Sequence, residues 1–500
     1  MGLPRSAGVL LHPSSLPGPE AVGVLGPEAV GFVDFLARAR QGIWQVLPLG
    51  PVGPGDSPYA GSSAFAGNPL LISLARLAEE GLDAGEPSAR PSYRTDYGRA
   101  TAEKWPRLRR AAASFRADAG RASELAEFRE QPRGWLDDYA LFTAIKEAQG
   151  GAGWTSWPEP LARRDPAALA RFRREHAAAV ELQEIVQLLF ERQWSAVKRH
   201  ANERGVRIMG DVPIFVAHDS ADVWAHRELF HLDAAGQPTI VAGVPPDYFS
   251  PTGQLWGNPI YRWNAMAADG YRWWVERFRR VLGQVDLVRV DHFRGFAAHW
   301  SVPAGEQTAV NGRWDPAPGL ELFRAVEASL GGDLPIVAED LGTITPDVVA
   351  LLDELGFPGM KVLQFAFGDT ARNPYLPHNY SPNAVVYTGT HDNDTTVGWY
   401  ASLADDQRHR VRTYLQSDGS DIAWDLIRLA LGSVADTAIV PLQDVLSLES
   451  ESRMNTPGQA DGNWTWRFDA EQLRDTVAER LGDLTEMFNR VPAASDRGRV

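Results

Sequence analysis

The chain contains no cysteine. That excludes disulfides, thiolate zinc sites and cysteine nucleophiles together. Lysine is scarce as well. Only Lys104, Lys146, Lys198 and Lys361 stand among 49 Lys and Arg residues, and the formal net charge is −15. An acidic chain with scattered arginines lacks the basic stripe that nucleic acid requires, so a neutral ligand fits better than an anionic polymer. No apolar run approaches the ~18–20 residues of a membrane helix. No charged n-region leads into a long apolar h-region, so no secretory signal is legible. We expect a cytoplasmic protein. Met1-Gly2 with Ser6 matches a myristoylation pattern in form only, because the next residues read as a buried strand. The Walker loop, the Rossmann fingerprint, HExxH and GxSxG are all missing, and the 11 histidines show no ligand spacing.

What is present is a globular composition, 44% hydrophobic and 23% charged, with 17 Trp, 12 Tyr and 20 Phe. Most of these aromatics belong in a core. A tryptophan also offers a flat apolar face and one N–H donor, which suits a ligand with polar edges. A length of 500 residues allows about three domains, although α/β barrels exceed 200 residues as one unit.

Eight short apolar runs bounded by Gly, Pro or Asp recur along the chain: Gly8–Pro13, Ile43–Leu49, Val206–Ile214, Asp286–Asp291, Pro335–Asp340, Met360–Phe367, Ala384–Thr390 and Thr437–Leu442. Helical periodicity lies between most of them, as in Glu28–Ala39, Tyr271–Leu282, Leu320–Leu330, Pro346–Leu355 and Ile422–Leu431. The alternation predicts a (β/α)₈ TIM barrel; an open sheet of six or seven strands is the alternative. The spacing is uneven. Residues 68–204 read as a large helical insertion after the second strand, with helices over Leu136–Gln149 and Pro166–Asn202. Residues 217–270 read as a loop-rich insertion with short strands after the third. Residues 447–466 form a small insertion after the eighth, and the tail from about Ala493 reads as frayed. The expectation is one catalytic barrel over residues 1–500 with rim insertions on the face where barrel enzymes keep their sites.

Polar residues at the ends of the runs are the candidates for chemistry. Arg289 and Asp291 share one face of a period-two strand and point into the barrel mouth. A guanidinium keeps a neighbouring carboxylate ionised, which suits a nucleophile; a structural ion pair is the equal alternative. Glu339 ends an apolar strand whose surroundings could raise its pKa as a general acid needs. Alternatively Glu339 is solvated and Asp340 caps a helix. Thr390–Asp394 holds several polar groups on one turn. An Asx-turn, a helix cap or a weak metal motif would each use them. His292 and His391 each flank a candidate carboxylate. Together the acidic residues surround one mouth, and two opposed carboxylates are the machinery of glycoside chemistry.

At these residues the sequence resembles the 4-α-glucanotransferases, also called amylomaltases or disproportionating enzymes, of the α-amylase clan. The resemblance rests on RVDHFRGF (289–296), VAEDLG (337–342) and YTGTHDNDT (387–395). It is carried further by GDVPIFVAHDSADVW (210–224), GVPPDYFSPTGQLWGNPIY (243–261), Ser57-Pro58-Tyr59 and SAFAGNP (63–69), and runs from about Gly8 to Arg490. It implies Asp291 as nucleophile, Glu339 as general acid/base and Asp392 as the carboxylate that holds the ring hydroxyls of the −1 sugar. It places Tyr59, Asp211, Arg289, His292 and His391 around that sugar and Trp256 over the acceptor side, with Phe365, Asp369 and Asn463 as further binding positions. The loop around Pro245, Tyr248, Phe249 and Trp256 would exclude water. The implied ligands are α-1,4-glucans and maltooligosaccharides, with no cofactor and no metal. An amylase-type hydrolase with the same three carboxylates is the competing reading.

Overall fold

The computed structural model describes residues 3–85, 93–131, 134–246 and 250–492. Tyr248, Phe249, the Met1-Gly2 start and the tail from Ala493 lie outside the described residues. Twelve strands occur among the described residues: β1 (Ser6–Leu10), β2 (Ile43–Gln45), β3 (Arg207–Val212), β4 (Ile240–Val244), β5 (Gln254–Pro259), β6 (Leu287–Val290), β7 (Ala298–Pro303), β8 (Arg313–Pro316), β9 (Ile336–Ala338), β10 (Gly359–Val362), β11 (Ala384–Tyr387) and β12 (Thr437–Pro441). Eight of them close a parallel barrel in the order β1-β12-β11-β10-β9-β6-β3-β2. Each of the eight predicted apolar runs overlaps one barrel strand, so the expected TIM barrel is the fold.

The runs read as they do because barrel strands are buried on both faces and need no polar alternation. All four residues of β6 are buried, Arg289 included. The runs often extend past the strands at their C-terminal ends. There the chain leaves regular geometry but stays tied to the ladder: the Val46 N–H donates to the Met209 carbonyl at 2.8 Å and the Asp291 N–H to that of Val212 at 2.9 Å. Helices Pro27–Arg38 and Pro346–Leu355 start on proline, which suits the first turn. The second of these ends on left-handed Gly356, the usual glycine stop.

The segment after β2 carries helices Tyr97–Ala117, Ala119–Glu130, Gly134–Ala148, Pro166–Glu175 and Ala177–Glu203. The single helix expected over 166–202 is broken at His176, whose ring stacks on Phe172 at 4.2 Å. Ala177–Glu203 has 27 residues, about 40 Å of helix, and leads into β3. Two of its glutamines behave like strand backbone. Gln187 accepts from the Gly67 N–H and donates to its carbonyl, at 2.8 and 2.9 Å. Gln193 does the same with Ser73, at 2.7 and 3.0 Å. These pairs fasten the helix to the loop after β2. Gly67 is required at this seam, because a Cβ there would sit 2.0 Å from the Phe190 ring.

A second sheet was not foreseen in full. Strands β5-β4-β7-β8 form a four-stranded antiparallel sheet. Two of its strands come from the region 217–270. The other two follow β6, where the sequence reading placed no insertion. Its edge strands carry Trp256 and Trp314.

The barrel is closed where β1 meets β12, and Arg490 fastens that seam from the end opposite the strand C-termini. It is fully buried and its guanidinium donates to the carbonyls of Leu431, Ser6, Asp436, Ser433 and Ala435 at 2.7–3.1 Å. Burial lowers its pKa to about 9. Arg490→Ala removes five charged hydrogen bonds from a closed site, where Arg5 and the Ser6 N–H still reach four of the carbonyls. Each hydrogen bond to a charged group contributes about 1.5–3 kcal/mol, so we expect a loss of about 3 kcal/mol or more. Calorimetry should show a lower melting temperature, with turnover at low temperature unchanged.

Candidate active site

Three adjacent strands place the central charges. In the ladder Asp211 on β3 lies opposite Arg289 on β6, and Val290 on β6 lies opposite Ala338 on β9. Asp291 and Glu339 are the next residues, so they leave neighbouring strands at one level, and strands are spaced about 4.8 Å apart. Their backbones continue the ladder, with the Glu339 N–H donating to the Val290 carbonyl at 3.0 Å.

Arg289 is buried and binds two carboxylates. Its guanidinium lies 2.6 Å from Asp211 Oδ2 and 2.9 Å from Asp291 Oδ1. The Tyr59 hydroxyl donates to the same Asp211 oxygen at 2.9 Å. The Asp211 side chain is 0% exposed, so it stands behind Arg289 and Tyr59. Burial opposes the charge on Arg289, but Asp211 and Asp291 raise its pKa well above the ordinary value. Burial pushes the Asp211 carboxyl up, with Arg289 working against it.

Glu339 is held differently. Its carboxylate accepts from the backbone N–H of His292 at 2.7 Å and of Leu341 at 2.8 Å. His292 adopts a left-handed conformation, φ 49°, which turns the chain after Asp291 and brings that N–H to Glu339. Burial, then the negative charge of Asp291, raise the Glu339 pKa to about 7. The neighbouring Asp340 neither caps a helix nor faces solvent alone: it accepts from the Met360 N–H at 2.6 Å and so ties β9 to β10.

The loop after β11 brings His391 and Asp392 to the mouth. Thr390 and Asn393 close its turn, with the Thr390 N–H donating to Asn393 Oδ1 at 2.9 Å. Buried Asp444, just after β12, accepts from Thr388 and from both the N–H and hydroxyl of Thr396 at 2.6–2.7 Å. His391 stacks on Tyr59 at 5.2 Å with 11° between planes, and Trp464 packs against both. Burial lowers the pKa of His391, and that of His292 to about 4, so both rings are neutral. Asp392 has a 44% exposed side chain, and Asn455 Nδ2 donates to its Oδ1 at 2.6 Å.

These groups open into a cavity of about 2230 Å³, against roughly 300–1,000 Å³ for a typical small-molecule site. Tyr59, Trp256, Arg289, Asp291, His292, Glu339, Phe365, His391, Asp392 and Asn463 line it. Asp211 and exposed Asp369 do not. Asn463 lies at the rim with its amide spent on its own loop, accepting from Thr456 N–H and donating to the Gln459 carbonyl. Of the 17 tryptophans only Trp256 and Trp314 are exposed, and both line this cavity. Trp256 meets His292 edge-on at 4.8 Å. Arg294 covers the Trp314 ring at 3.7 Å.

Sequence reasoning missed Trp314, Tyr375, Arg453, Asn455 and Trp464, all on the cavity wall. The region 447–466 was marked as an insertion, but nothing in it distinguishes its polar residues from solvated loop. Among the described residues no group of three His, Asp or Glu converges to hold a metal ion, and no helix is long and apolar enough to cross a membrane.

Comparison with known proteins adds to this geometry. The family described as 4-alpha-glucanotransferase matches residues 11–472. A Synechocystis protein named 4-alpha-glucanotransferase is 54% identical over 497 residues, 97% of this chain and 98% of that protein. A Thermus thermophilus protein of the same name is 51% identical, covering 98% of this chain and 100% of that one. The solved amylomaltase from Streptococcus agalactiae in complex with acarbose superimposes with a TM-score of 0.93 at 39% identity, over 97% of this chain and all of that one.

The site itself generates an electrostatic prediction. Asp291's negative charge disfavours ionised Glu339, so removing that charge must lower the Glu339 pKa. In Asp291→Asn, infrared titration of the Glu339 carboxyl, assigned by difference against Glu339→Gln, should move from near 7 toward the ordinary carboxyl range. An unchanged midpoint would show that burial alone sets it.

Proposed function

This chain belongs to the 4-alpha-glucanotransferase family, and from that premise we propose how its residues carry out the reaction. The observation that carries the reading is the pair Asp291 and Glu339, set on adjacent strands at one level with unlike surroundings. One is paired with a buried guanidinium and the other is desolvated. That is the division of labour between a nucleophile and an acid/base, and neighbouring strands suit the separation of about 5–5.5 Å that a retaining reaction needs.

Asp291 attacks C1 of the glucosyl residue in the −1 position while Glu339 gives its proton to the departing glycosidic oxygen. The bond from C1 to that oxygen breaks, and a β-glucosyl ester of Asp291 forms. The shortened glucan leaves. The 4-hydroxyl of an incoming glucan then enters. Glu339 takes its proton, the oxygen attacks C1, and Asp291 is released. Two inversions restore the α-linkage. Asp392 holds the ring hydroxyls of the −1 residue as positive charge develops. Arg289, His292 and His391 flank that residue and Tyr59 stacks against it. Asp211, closed off from the cavity, acts by fixing Arg289 and Tyr59. Trp256 covers the acceptor side, and Phe365, Asp369 and Asn463 are further binding positions.

The ligands on this reading are α-1,4-glucans and maltooligosaccharides. The size of the cavity supports several sugar units at once. Transfer wins over hydrolysis when a sugar, rather than water, fills the acceptor site, and Trp256 offers the apolar surface for it. We treat 68–204, 217–270 and 447–466 as insertion subdomains on one catalytic barrel spanning 1–500. We place the protein in the cytoplasm, where a cysteine-free chain is unaffected by the reducing environment.

Incubation with maltotriose tests the reaction. Glucose and longer oligomers should appear without a net rise in reducing ends; a steady rise would favour the hydrolase. Glu339→Gln should lower kcat about 10²–10⁴-fold while circular dichroism shows the native fold. In the wild type, kcat/KM should fall as pH rises through about 7, because Glu339 must be protonated to start the first step. Full activity in Glu339→Gln would displace it from the acid/base role.

A further inference from the structure

We infer that Asn455 is a positioning residue for the transfer reaction, one whose amide sets the orientation of the Asp392 carboxylate. The inference rests on the reading of Asp392 as the group that engages the −1 sugar. Asp392 sits on a turn at an open mouth with its side chain 44% exposed. A carboxylate so placed is free to rotate unless something holds it. Asn455 Nδ2 donates to Oδ1 at 2.6 Å, and His391 Nε2 lies 3.4 Å from the same oxygen. Among the described residues Oδ2 takes no hydrogen bond from protein. The carboxylate is thus pinned by one oxygen and presents the other to the cavity.

The amide is itself held. The Asn455 N–H donates to the His391 carbonyl at 3.1 Å. Arg453 donates to the Asn455 carbonyl at 2.8 Å and to the Asp392 carbonyl at 2.6 Å. Residues 453–455 therefore clamp the peptide that carries both His391 and Asp392, from a segment that follows β12. The chemistry of the donor matters. An arginine or lysine here would neutralise the carboxylate, whereas a primary amide fixes it and leaves its charge for the transition state. The ionisable groups that act on this pair are His391 on its own loop, Arg453 on the clamp and Tyr59 across the mouth, with Arg289 and Asp291 acting in turn on His391 and Tyr59.

Two variants decide the matter, measured on maltotriose beside Asp392→Asn. Asn455→Ala should lower kcat about ten- to hundredfold, the loss of one hydrogen bond to a charged group, with a smaller change in KM and a near-native melting temperature. Asn455→Asp is isosteric and places a second carboxyl at hydrogen-bond distance, so the pair shares one proton. With that proton, residue 455 donates to Asp392 as the amide does; without it, the two repel. Its kcat should approach the wild-type value at acid pH and fall as pH rises, on a limb below that of the wild type. A wild-type kcat in Asn455→Ala, or an Asn455→Asp profile superimposable on the wild-type one, would overturn the positioning role while Asp392→Asn stays inactive. Turnover retained by Asp392→Asn would instead overturn the reading of Asp392, and this inference with it.

Discussion

The site depends on one buried guanidinium. Arg289 lies between Asp211 and Asp291 at hydrogen-bond distance from each. A buried charge is tolerated only when it is paired and hydrogen-bonded, and both conditions are met here by residues of adjacent strands. Through this contact the barrel wall fixes the direction of Asp291. Through Asp211 the same contact reaches Tyr59, then the ring of His391, then Trp464. A disturbance at Arg289 would therefore spread over half of the mouth.

Around that cation the carboxylates differ by environment rather than by type. Asp291 is paired with charge. Glu339 receives only backbone N–H groups and sits beside a negative neighbour, so burial and repulsion lift it to about 7. Asp392 is more exposed and is held by a neutral amide. The two histidines are kept neutral by burial, so they shape and hydrogen-bond without adding positive charge. The result is a mouth that carries negative charge with apolar rings around it.

Much of this was legible before folding. Arg289 and Asp291 were readable as a pair because a strand has a period of two. Acidic residues at the ends of the runs around Glu339 and Asp392 were readable because barrels place their chemistry at that face, and the family resemblance singled out these two. The eight runs were readable because parallel strands are apolar on both sides. Other features were not. Strands β7 and β8 pair with each other, and only β7 reaches the earlier part of the sheet, pairing with β4 about 60 residues before it in the chain. Asn455 and Arg453 carry no local signal, since a polar residue in a Gly- and Ser-containing loop reads as solvated. The burial of Asp211 also escaped notice: an aspartate at a strand end reads as facing ligand, and only the neighbouring Tyr59 and Arg289 close it off.

The lack of cysteine, the scarcity of lysine and the wealth of tryptophan therefore meant different things. The first two were composition alone, and composition was enough to set aside thiol chemistry and a basic polymer-binding stripe. The tryptophans needed the fold, which buried or half-buried fifteen and left Trp256 and Trp314 exposed on the cavity wall. The chain alone made the barrel legible, because strand period and apolar runs are local properties, and its family resemblance pointed to Asp291, Glu339 and Asp392 as the candidate carboxylates. The tertiary structure alone decided which groups hold those carboxylates, because each holding contact joins residues far apart along the chain that only barrel closure brings within a hydrogen bond.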